Sequence, residues 1–124
     1  MTSDKLQVLV VDDSDIVRRA IRTLLQESEQ FSVHDCESAD GAFEKARKVK
    51  PQVILLDMSL PGVPGTALGP QLRDEFPEAK VVLMSAQDGT VLAKLTELAG
   101  LRWSIPKSEL SAELVPLLEK ITSN

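Results

Sequence analysis

Short apolar runs alternate with helical patterns five times along this chain, and this alternation restricts the fold more than any other feature. The runs that we predict to be strands span residues 6–11, 31–36, 53–56, 81–84 and 103–105. Strands separated in this way by helices form parallel sheets that are covered by helices on both faces. We therefore predict an α/β fold with a doubly wound, five-stranded parallel sheet in the order 2-1-3-4-5.

Helices are predicted wherever apolar residues recur at helical spacing between these strands. The first begins after Ser14, the second spans residues 41–49, the third ends near Phe76, the fourth closes at Gly100, and the last spans residues 110–121. Ser14 is a good N-cap residue. Gly69-Pro70 should shorten or kink the third helix, and Pro116 should disturb the last one, because proline cannot donate a helical hydrogen bond.

Composition limits the classes of protein that this chain can belong to. Its 124 residues suit one domain, residues 1–124, on the usual scale of about 100–200 residues per domain. No apolar run approaches the roughly 18 residues of a membrane span, so we expect a cytoplasmic protein without a membrane partner. The net charge of −5 argues against nucleic-acid binding by this domain. A lone cysteine, Cys36, cannot form an intramolecular disulfide.

Polar residues follow four of the predicted strands. They are Asp12 and Asp13 after the first strand, Asp57 after the third, Ser85 after the fourth and Lys107 after the fifth. In the proposed order these four strands are neighbours, so the side chains should meet at one edge of the sheet. Carboxylates crowded in this way repel unless a cation holds them, and oxygen ligands suit Mg²⁺.

A carboxylate beside Mg²⁺, with a lysine and a hydroxyl around it, can accept a phosphoryl group. Asp57 would be the nucleophile and would form an aspartyl phosphate. Mg²⁺ and Lys107 would stabilise the charge on the transferred group, and Ser85 offers a hydroxyl to one of its oxygens.

The chain resembles the receiver domain of two-component response regulators over essentially its whole length. The resemblance rests on four motifs in the right order, at residues 10–14 (Val-Val-Asp-Asp-Ser), 55–62 (Leu-Leu-Asp-Met-Ser-Leu-Pro-Gly), 83–86 (Leu-Met-Ser-Ala) and 105–108 (Ile-Pro-Lys-Ser). It implies a flavodoxin-like fold similar to chemotaxis regulators. The last motif is similar to receivers that are joined to helix-turn-helix output domains.

By position, the resemblance implies that Asp57 is the phosphoacceptor and that Asp13 is a direct Mg²⁺ ligand. Asp12 would act on the metal through water, and the backbone carbonyl of Ser59 would complete the metal shell. Ser85 matches the switch hydroxyl, and Lys107 matches the lysine that binds the phosphoryl group. The phosphoryl donor would be a histidine kinase or a phosphotransfer protein. The resemblance also admits a homodimer through the fourth helix, fifth strand and fifth helix.

Two positions depart from the receiver pattern. Ser104 stands where such domains often carry an aromatic residue that moves with the switch hydroxyl, and Trp103 precedes it. Neighbouring strand residues face opposite sides of a sheet, so Trp103 does not replace that aromatic directly. Trp103 could instead anchor an interface or pack under the last helix. Ser108 follows the lysine in place of the common proline.

Three functions remain open at this point. The first is a phosphorylation-controlled switch, and the second is a receiver-fold scaffold with weak or no switching. The third is a Mg²⁺-dependent phosphatase, which the sequence disfavours because residue 59 is a serine rather than a general acid. We therefore expect a signalling phosphoacceptor that acts only on its own phosphorylation, not an enzyme with a separate substrate. The sequence fits both a stand-alone regulator and one domain of a longer protein.

Some polar residues also have structural interpretations. Asp12 and Asp13 alone could form a loop before an N-cap, but Asp57 and Lys107 at neighbouring strand ends favour a site. Three arginines of the first helix are predicted to form its solvated face: Arg18, Arg19 and Arg22. His34, on the peripheral second strand, is predicted to be structural.

Overall fold

The central element of the fold is a five-stranded parallel sheet, seen in a computed structural model that describes residues 5–123. Its strands, in chain order, are β1 (Leu6–Val11), β2 (Phe31–Cys36), β3 (Val53–Asp57), β4 (Lys80–Ser85) and β5 (Trp103–Pro106). Their order across the sheet is β2-β1-β3-β4-β5, and every pair is parallel. The predicted α/β class, flavodoxin-like topology and strand order are confirmed.

Five helices connect and cover these strands. They are α1 (Asp15–Gln26), α2 (Ala39–Val49), α3 (Gly65–Glu75), α4 (Gly89–Leu98) and α5 (Leu110–Thr122). A 3₁₀ turn, Lys107–Glu109, joins β5 to α5. The loop after β3 contains a two-residue antiparallel pairing between Ser59–Leu60 and Val63–Pro64. None of the helices that the structure describes is long and apolar enough to cross a membrane.

The sheet separates two apolar cores, because successive side chains of a strand point to opposite faces. Val8 and Val10 of β1 belong to the core that packs against α1 and α5. Leu9 and Val11 belong to the core under α2, α3 and α4. Every residue of β3 is buried, as a central parallel strand requires. Helices therefore pack on both faces of the central strands. Because these strands are parallel, their carboxyl ends lie at the same edge of the sheet.

Helix starts follow the capping residues. Ser14 Oγ accepts a hydrogen bond from the Val17 N–H, so α1 begins where the sequence predicts. The second helix begins at Ala39 rather than at the predicted residue 41, because Ser38 caps it by accepting from the Gly41 N–H. The fourth helix closes with Gly100 at a φ of +78°, as expected of a glycine that follows a helix.

The two helical prolines do not shorten their helices, so the shortening expected at Pro70 does not occur, while the predicted ends of both helices agree with the structure. Helix α3 continues through Pro70 to Glu75, and α5 continues through Pro116 to Thr122. Pro116 lies on the exposed side of α5. The carbonyl that loses its helical partner there can be hydrated, and packing of the apolar side of the helix outweighs the missing bond.

Gly65 allows α3 to begin directly against the loop that follows β3. A Cβ at residue 65 would lie 2.6 Å from Met58 Cα, which is backbone and cannot rotate away. We expect Gly65→Ala to lower the free energy of unfolding by about 1–3 kcal/mol, as overpacking does. Urea unfolding would measure this loss.

Gly89→Ala is the matched control for this substitution. Its added Cβ would meet nothing closer than Pro106 Cγ at 3.5 Å, an ordinary contact, at the start of α4. We expect it to be neutral or to stabilise by up to about 1 kcal/mol. Equal stability of Gly65→Ala and the unsubstituted protein would contradict the packing argument.

Candidate functional site

Three carboxylates meet where the parallel strands of the sheet have their carboxyl ends. Asp12 and Asp13 follow β1, and Asp57 ends β3, which is the strand beside β1. One oxygen from each carboxylate lies within 4.8 Å of the others. Asp12 is fully buried and Asp57 is 4% exposed, whereas Asp13 is exposed to solvent. The sequence predicted this meeting, because neighbouring parallel strands end at the same edge.

The start of α1 holds Asp12 in place. Asp12 Oδ1 accepts a hydrogen bond of 2.8 Å from the Ser14 N–H, and the Ser14 side chain caps the helix. The guanidinium of Arg18 donates to the backbone carbonyl of Asp12 at 2.7 Å. Backbone and side chain of Asp12 are therefore both fixed by the first turns of one helix.

Arg18 is not the solvated residue that the helical pattern predicted. Its side chain is 15% exposed and lies 3.4 Å from Asp15 and 3.9 Å from Asp35. Arg22 also pairs with Asp35, at 3.2 Å, whereas Arg19 is exposed as predicted. Sequence reasoning missed this network because Asp35 lies on β2, and nothing in the spacing of α1 indicates a partner there.

Lys107 supplies the cation of the site. Its Nζ lies 2.8 Å from Asp12 Oδ2 and 3.3 Å from Asp57 Oδ1. Burial by itself lowers the pKa of Lys107, but the nearby carboxylates of Asp12 and Asp57 outweigh burial and leave the pKa raised above its ordinary value. Lys107 is therefore a stable ammonium at neutral pH, between two carboxylates.

The donor set of this edge fits a divalent cation. Three carboxylates and one ammonium leave two formal negative charges. Asp12 Oδ2 is buried without an aligned hydrogen bond from the described residues, despite the nearby ammonium. A hydrated Mg²⁺ would supply such a donor through its water, since Mg²⁺ keeps several waters and takes one or two carboxylates. Asp13 and Asp57 are the residues that could bind the metal directly, and Asp12 could bind through water.

Ser59 and Ser85 complete the surroundings of Asp57. The Ser59 N–H donates to Asp57 Oδ1 at 3.1 Å, which places residue 59 at the site. Ser85 ends β4, one residue beyond the partner of Asp57 in the β3–β4 register, and is 3% exposed. Its Oγ accepts from the Gln87 N–H at 3.0 Å, so the hydroxyl is engaged with the following loop.

Trp103 lies at the amino end of the short strand that Lys107 follows. It starts β5, pairs with Val82 and packs, half-buried, against the core under α1 and α5. The guanidinium of Arg102 covers its ring at 4.8 Å from the ring centroid. Of the two roles left open by the sequence, the structure favours packing. Ser104 follows on the same strand, in register with Leu83 of β4.

His34 and Cys36 lie on β2, away from Lys107. His34 Nε2 lies 2.7 Å from Gln7 Oε1, a hydrogen bond within the sheet. Burial, followed by the charges of Lys45 and Arg22, lowers the pKa of His34. Burial also raises the pKa of the half-buried Cys36 thiol. Neither group is charged at neutral pH, which agrees with the structural interpretation of His34.

Removing the ammonium of Lys107 should destabilise the protein in metal-free buffer. We expect Lys107→Met to lower the free energy of unfolding at neutral pH by about 1–3 kcal/mol, because the buried Asp12 carboxylate loses the one ion pair that it makes among the described residues. The folded-state pKa of Lys107 is raised above the unfolded value of about 10.4. This stabilisation is therefore complete below pH ~10.4 and is lost as the pH rises through the folded-state pKa.

Urea unfolding at neutral and at strongly alkaline pH would test this expectation. Lys48→Met, which changes an exposed lysine of α2, is the matched control. The stability difference between Lys107→Met and the unsubstituted protein should shrink at alkaline pH, whereas Lys48→Met should change little at either pH. A Lys107→Met protein as stable as the control variant at neutral pH would contradict the ion-pair argument.

Comparisons with known proteins agree with this geometry. Residues 8–119 match the family described as the response regulator receiver domain. The chain is 30% identical over 89 residues to the transcriptional regulatory protein DegU of Brevibacillus brevis, covering 71% of this chain and 38% of that protein. It is 33% identical over 89 residues to the chemotaxis protein CheY of Listeria monocytogenes, covering 70% of this chain and 75% of that protein.

A solved structure shows the same fold. The signal receiver domain of the putative response regulator NarL from Mycobacterium tuberculosis superposes with a TM-score of 0.84 at 24% identity, over 95% of this chain and 96% of that one. The chain spans well under half the length of DegU, so the likeness to DegU concerns its matched part alone. With the family match covering most of the chain and the acidic edge formed as the motifs predict, this chain belongs to the response regulator receiver domain family.

Proposed function

We propose that Asp57 accepts a phosphoryl group in a two-component phosphorelay and that this modification changes the affinity of the domain for its partners. The observation that supports this most is the position of Lys107 Nζ, within 3.3 Å of Asp57 and 2.8 Å of Asp12. A lysine shared by the nucleophile and a neighbouring acid is positioned to bind the oxygens of an incoming phosphoryl group.

The two oxygens of Asp57 have different surroundings. Oδ1 accepts from the Ser59 N–H and faces Lys107. Oδ2 accepts no hydrogen bond from the described residues and, unlike Asp12 Oδ2, is not sealed from solvent. Oδ2 is therefore the nucleophile. It forms the new bond to phosphorus while the phosphorus–nitrogen bond of a donor phosphohistidine breaks and the imidazole leaves.

The other residues stabilise the charge of the transferred group. Lys107 moves from Asp57 Oδ1 to a phosphoryl oxygen, and the Ser85 hydroxyl donates to another. Mg²⁺, when bound, neutralises the negative charge shared by the donor and the carboxylates. Asp13 and Asp57 would hold it directly, the backbone carbonyl of Ser59 would be a further ligand, and Asp12 would act on it through water. Hydrolysis of the aspartyl phosphate returns Asp57 to its free form.

Partners follow from the same proposal. A histidine kinase or phosphotransfer protein donates the phosphoryl group. Phosphorylation then changes the partner affinity of the surface formed by α4, β5 and α5, and one such partner is a second copy of this domain. Val91 and Leu98 of α4 support this surface, because they are 41% and 71% exposed although apolar. The net charge of −5 supports protein partners rather than direct contact with nucleic acid by this domain.

Phosphorylation of Asp57 can be measured directly. We expect incubation with acetyl phosphate and Mg²⁺ to add the mass of one phosphoryl group to the intact protein, and Asp57→Asn to abolish the addition. Asp40→Asn, which removes an exposed carboxylate at the start of α2, is the matched control and should be modified normally. Equal modification of the Asp57→Asn protein would refute the assignment of the phosphoacceptor.

The scaffold alternative is tested with the same proteins. Ser104, in place of an aromatic, is the feature that favours it. A switch requires that beryllofluoride, which mimics the phosphoryl group, change amide hydrogen exchange in the segment from residue 86 to the end of α4. Modification of Asp57 with no change in that exchange would identify a phosphorylated scaffold and overturn the switching part of the proposal.

Metal binding should stabilise the folded protein and depend on Asp13. We expect Mg²⁺ to raise the melting temperature in a saturable way, by the free energy of ligand binding to the folded state. Asp13→Asn should weaken the apparent affinity at least about tenfold, the loss seen when even an outer-shell partner of a metal is changed. Since Asp13 is exposed, the substitution should leave the fold intact.

Asp40→Asn serves as the control for loss of one negative charge, and a calorimetric titration with Mg²⁺ gives the affinity independently of stability. If Asp13→Asn and Asp40→Asn bind Mg²⁺ as tightly as the unsubstituted protein, the metal does not lie at the acidic edge.

A further inference from the structure

A cavity lined by positively charged side chains lies near the amino ends of two strands, whereas the acidic site lies at the carboxyl ends of the strands. It has a volume of about 460 Å³ and opens between the amino ends of β4 and β5 and the last turns of α3 and α5. Four cationic side chains and one indole are among the residues that line it: Arg73, Lys80, Arg102, Lys120 and Trp103. The remaining lining residues are apolar.

The charge of this cavity is opposite in sign to that of the chain. The chain carries 19 acidic and 14 basic residues, yet no carboxylate lines the cavity. Among the ion pairs of the described residues, none includes Lys80, Arg102 or Lys120. Arg73 alone has an acidic partner, Asp74, at 3.1 Å.

Structural roles account for only part of this charge. The Arg73 guanidinium donates to the Gly100 carbonyl at 2.8 Å, and Arg102 stacks over Trp103. The carboxyl ends of α3 and α5 each contribute about half a negative charge. Together with Asp74 they balance about two of the four positive charges. The ammonium groups of Lys80 and Lys120 make no hydrogen bond or ion pair with the described residues that would explain their convergence on one cavity.

We propose that this cavity binds a small ligand that carries two or more phosphate groups, such as a nucleoside triphosphate or inorganic polyphosphate. Cations that converge from three elements and the segment before β5 suit a ligand with several negative charges, whereas a single carboxylate would meet only one or two of them. Guanidinium groups match the geometry of phosphate oxygens. The volume lies within the range of small-molecule sites, about 300–1,000 Å³.

The single tryptophan of the chain provides the measurement. A phosphate that draws the Arg102 guanidinium from the Trp103 ring, where it lies at 4.8 Å, changes the environment of the indole. We expect sodium tripolyphosphate, titrated in metal-free buffer, to change tryptophan fluorescence in a saturable way. Rising salt should weaken the binding, because the charges are partly exposed. Without metal, the carboxylates of Asp12, Asp13 and Asp57 repel the same ligand.

Lys80→Gln/Lys120→Gln is the decisive variant. Lys120 is exposed and Lys80 is half-buried, and glutamine keeps most of the length of each side chain, so the fold should persist. Together the changes should weaken binding about fourfold or more, at about two- to fivefold each. Lys48→Gln/Lys94→Gln removes two lysines outside the cavity and should bind normally. Equilibrium dialysis with tripolyphosphate gives the affinity without relying on the indole.

Three outcomes decide the proposal. Binding that the cavity variant weakens and the control variant retains supports it, and a parallel titration with ATP then distinguishes a nucleotide from a bare polyphosphate by whichever binds more tightly. Equal weakening by the two variants would show diffuse attraction and overturn the site. No binding by dialysis would overturn it as well. All of these outcomes are independent of phosphorylation at Asp57.

Discussion

The site depends on one electrostatic constraint, the fully buried carboxylate of Asp12. A charge without water must be compensated by protein groups, or folding loses several kcal/mol. Lys107 Nζ and the Ser14 N–H, each at 2.8 Å, provide that compensation to the carboxylate oxygens. Ser14 also caps α1, and Arg18 of that helix donates to the backbone carbonyl of Asp12. These two residues come from the start of α1, so the helix that follows β1 also fixes the acid at its end. The geometry of the site is therefore part of the stability of the fold.

Lys107 reaches the acidic edge because the sheet and the last helix both hold its segment. Ile105 of β5 is buried in the core and Pro106 lies in register with Ser85 of β4. Beyond the 3₁₀ turn that begins at Lys107, Leu110 is buried in the same core under α1 and α5. A packed residue on either side of the lysine thus limits where its ammonium can lie. Any movement of β5 or α5 would therefore change the distance from Lys107 to Asp57.

Much of this arrangement was predictable, because parallel strands end at a common edge. Strand order followed from the alternation of elements, and the residues after each strand then had to meet. The Arg18 network was not predictable, because its partner Asp35 depends on the pairing of Val10 with Asp35 between β1 and β2. A helical pattern describes which residues share a face, but not which neighbouring strand lies under that face. The shortening expected at Pro70 does not occur for a related reason, since tertiary packing outweighs a local loss of one hydrogen bond.

The direction of the helices also explains why acidic residues gather at the carboxyl ends of the strands and basic residues at the amino ends. In a parallel α/β sheet, helices begin near the carboxyl edge and end near the amino edge, so their dipoles make the first edge positive and the second negative. Asp12, Asp13 and Asp57 lie at the first edge, while Lys80, Arg102 and Lys120 surround the cavity at the second. Each cluster lies in a field of the opposite sign, which reduces the cost of gathering like charges. The net charge of −5 therefore does not describe the cavity at the amino edge.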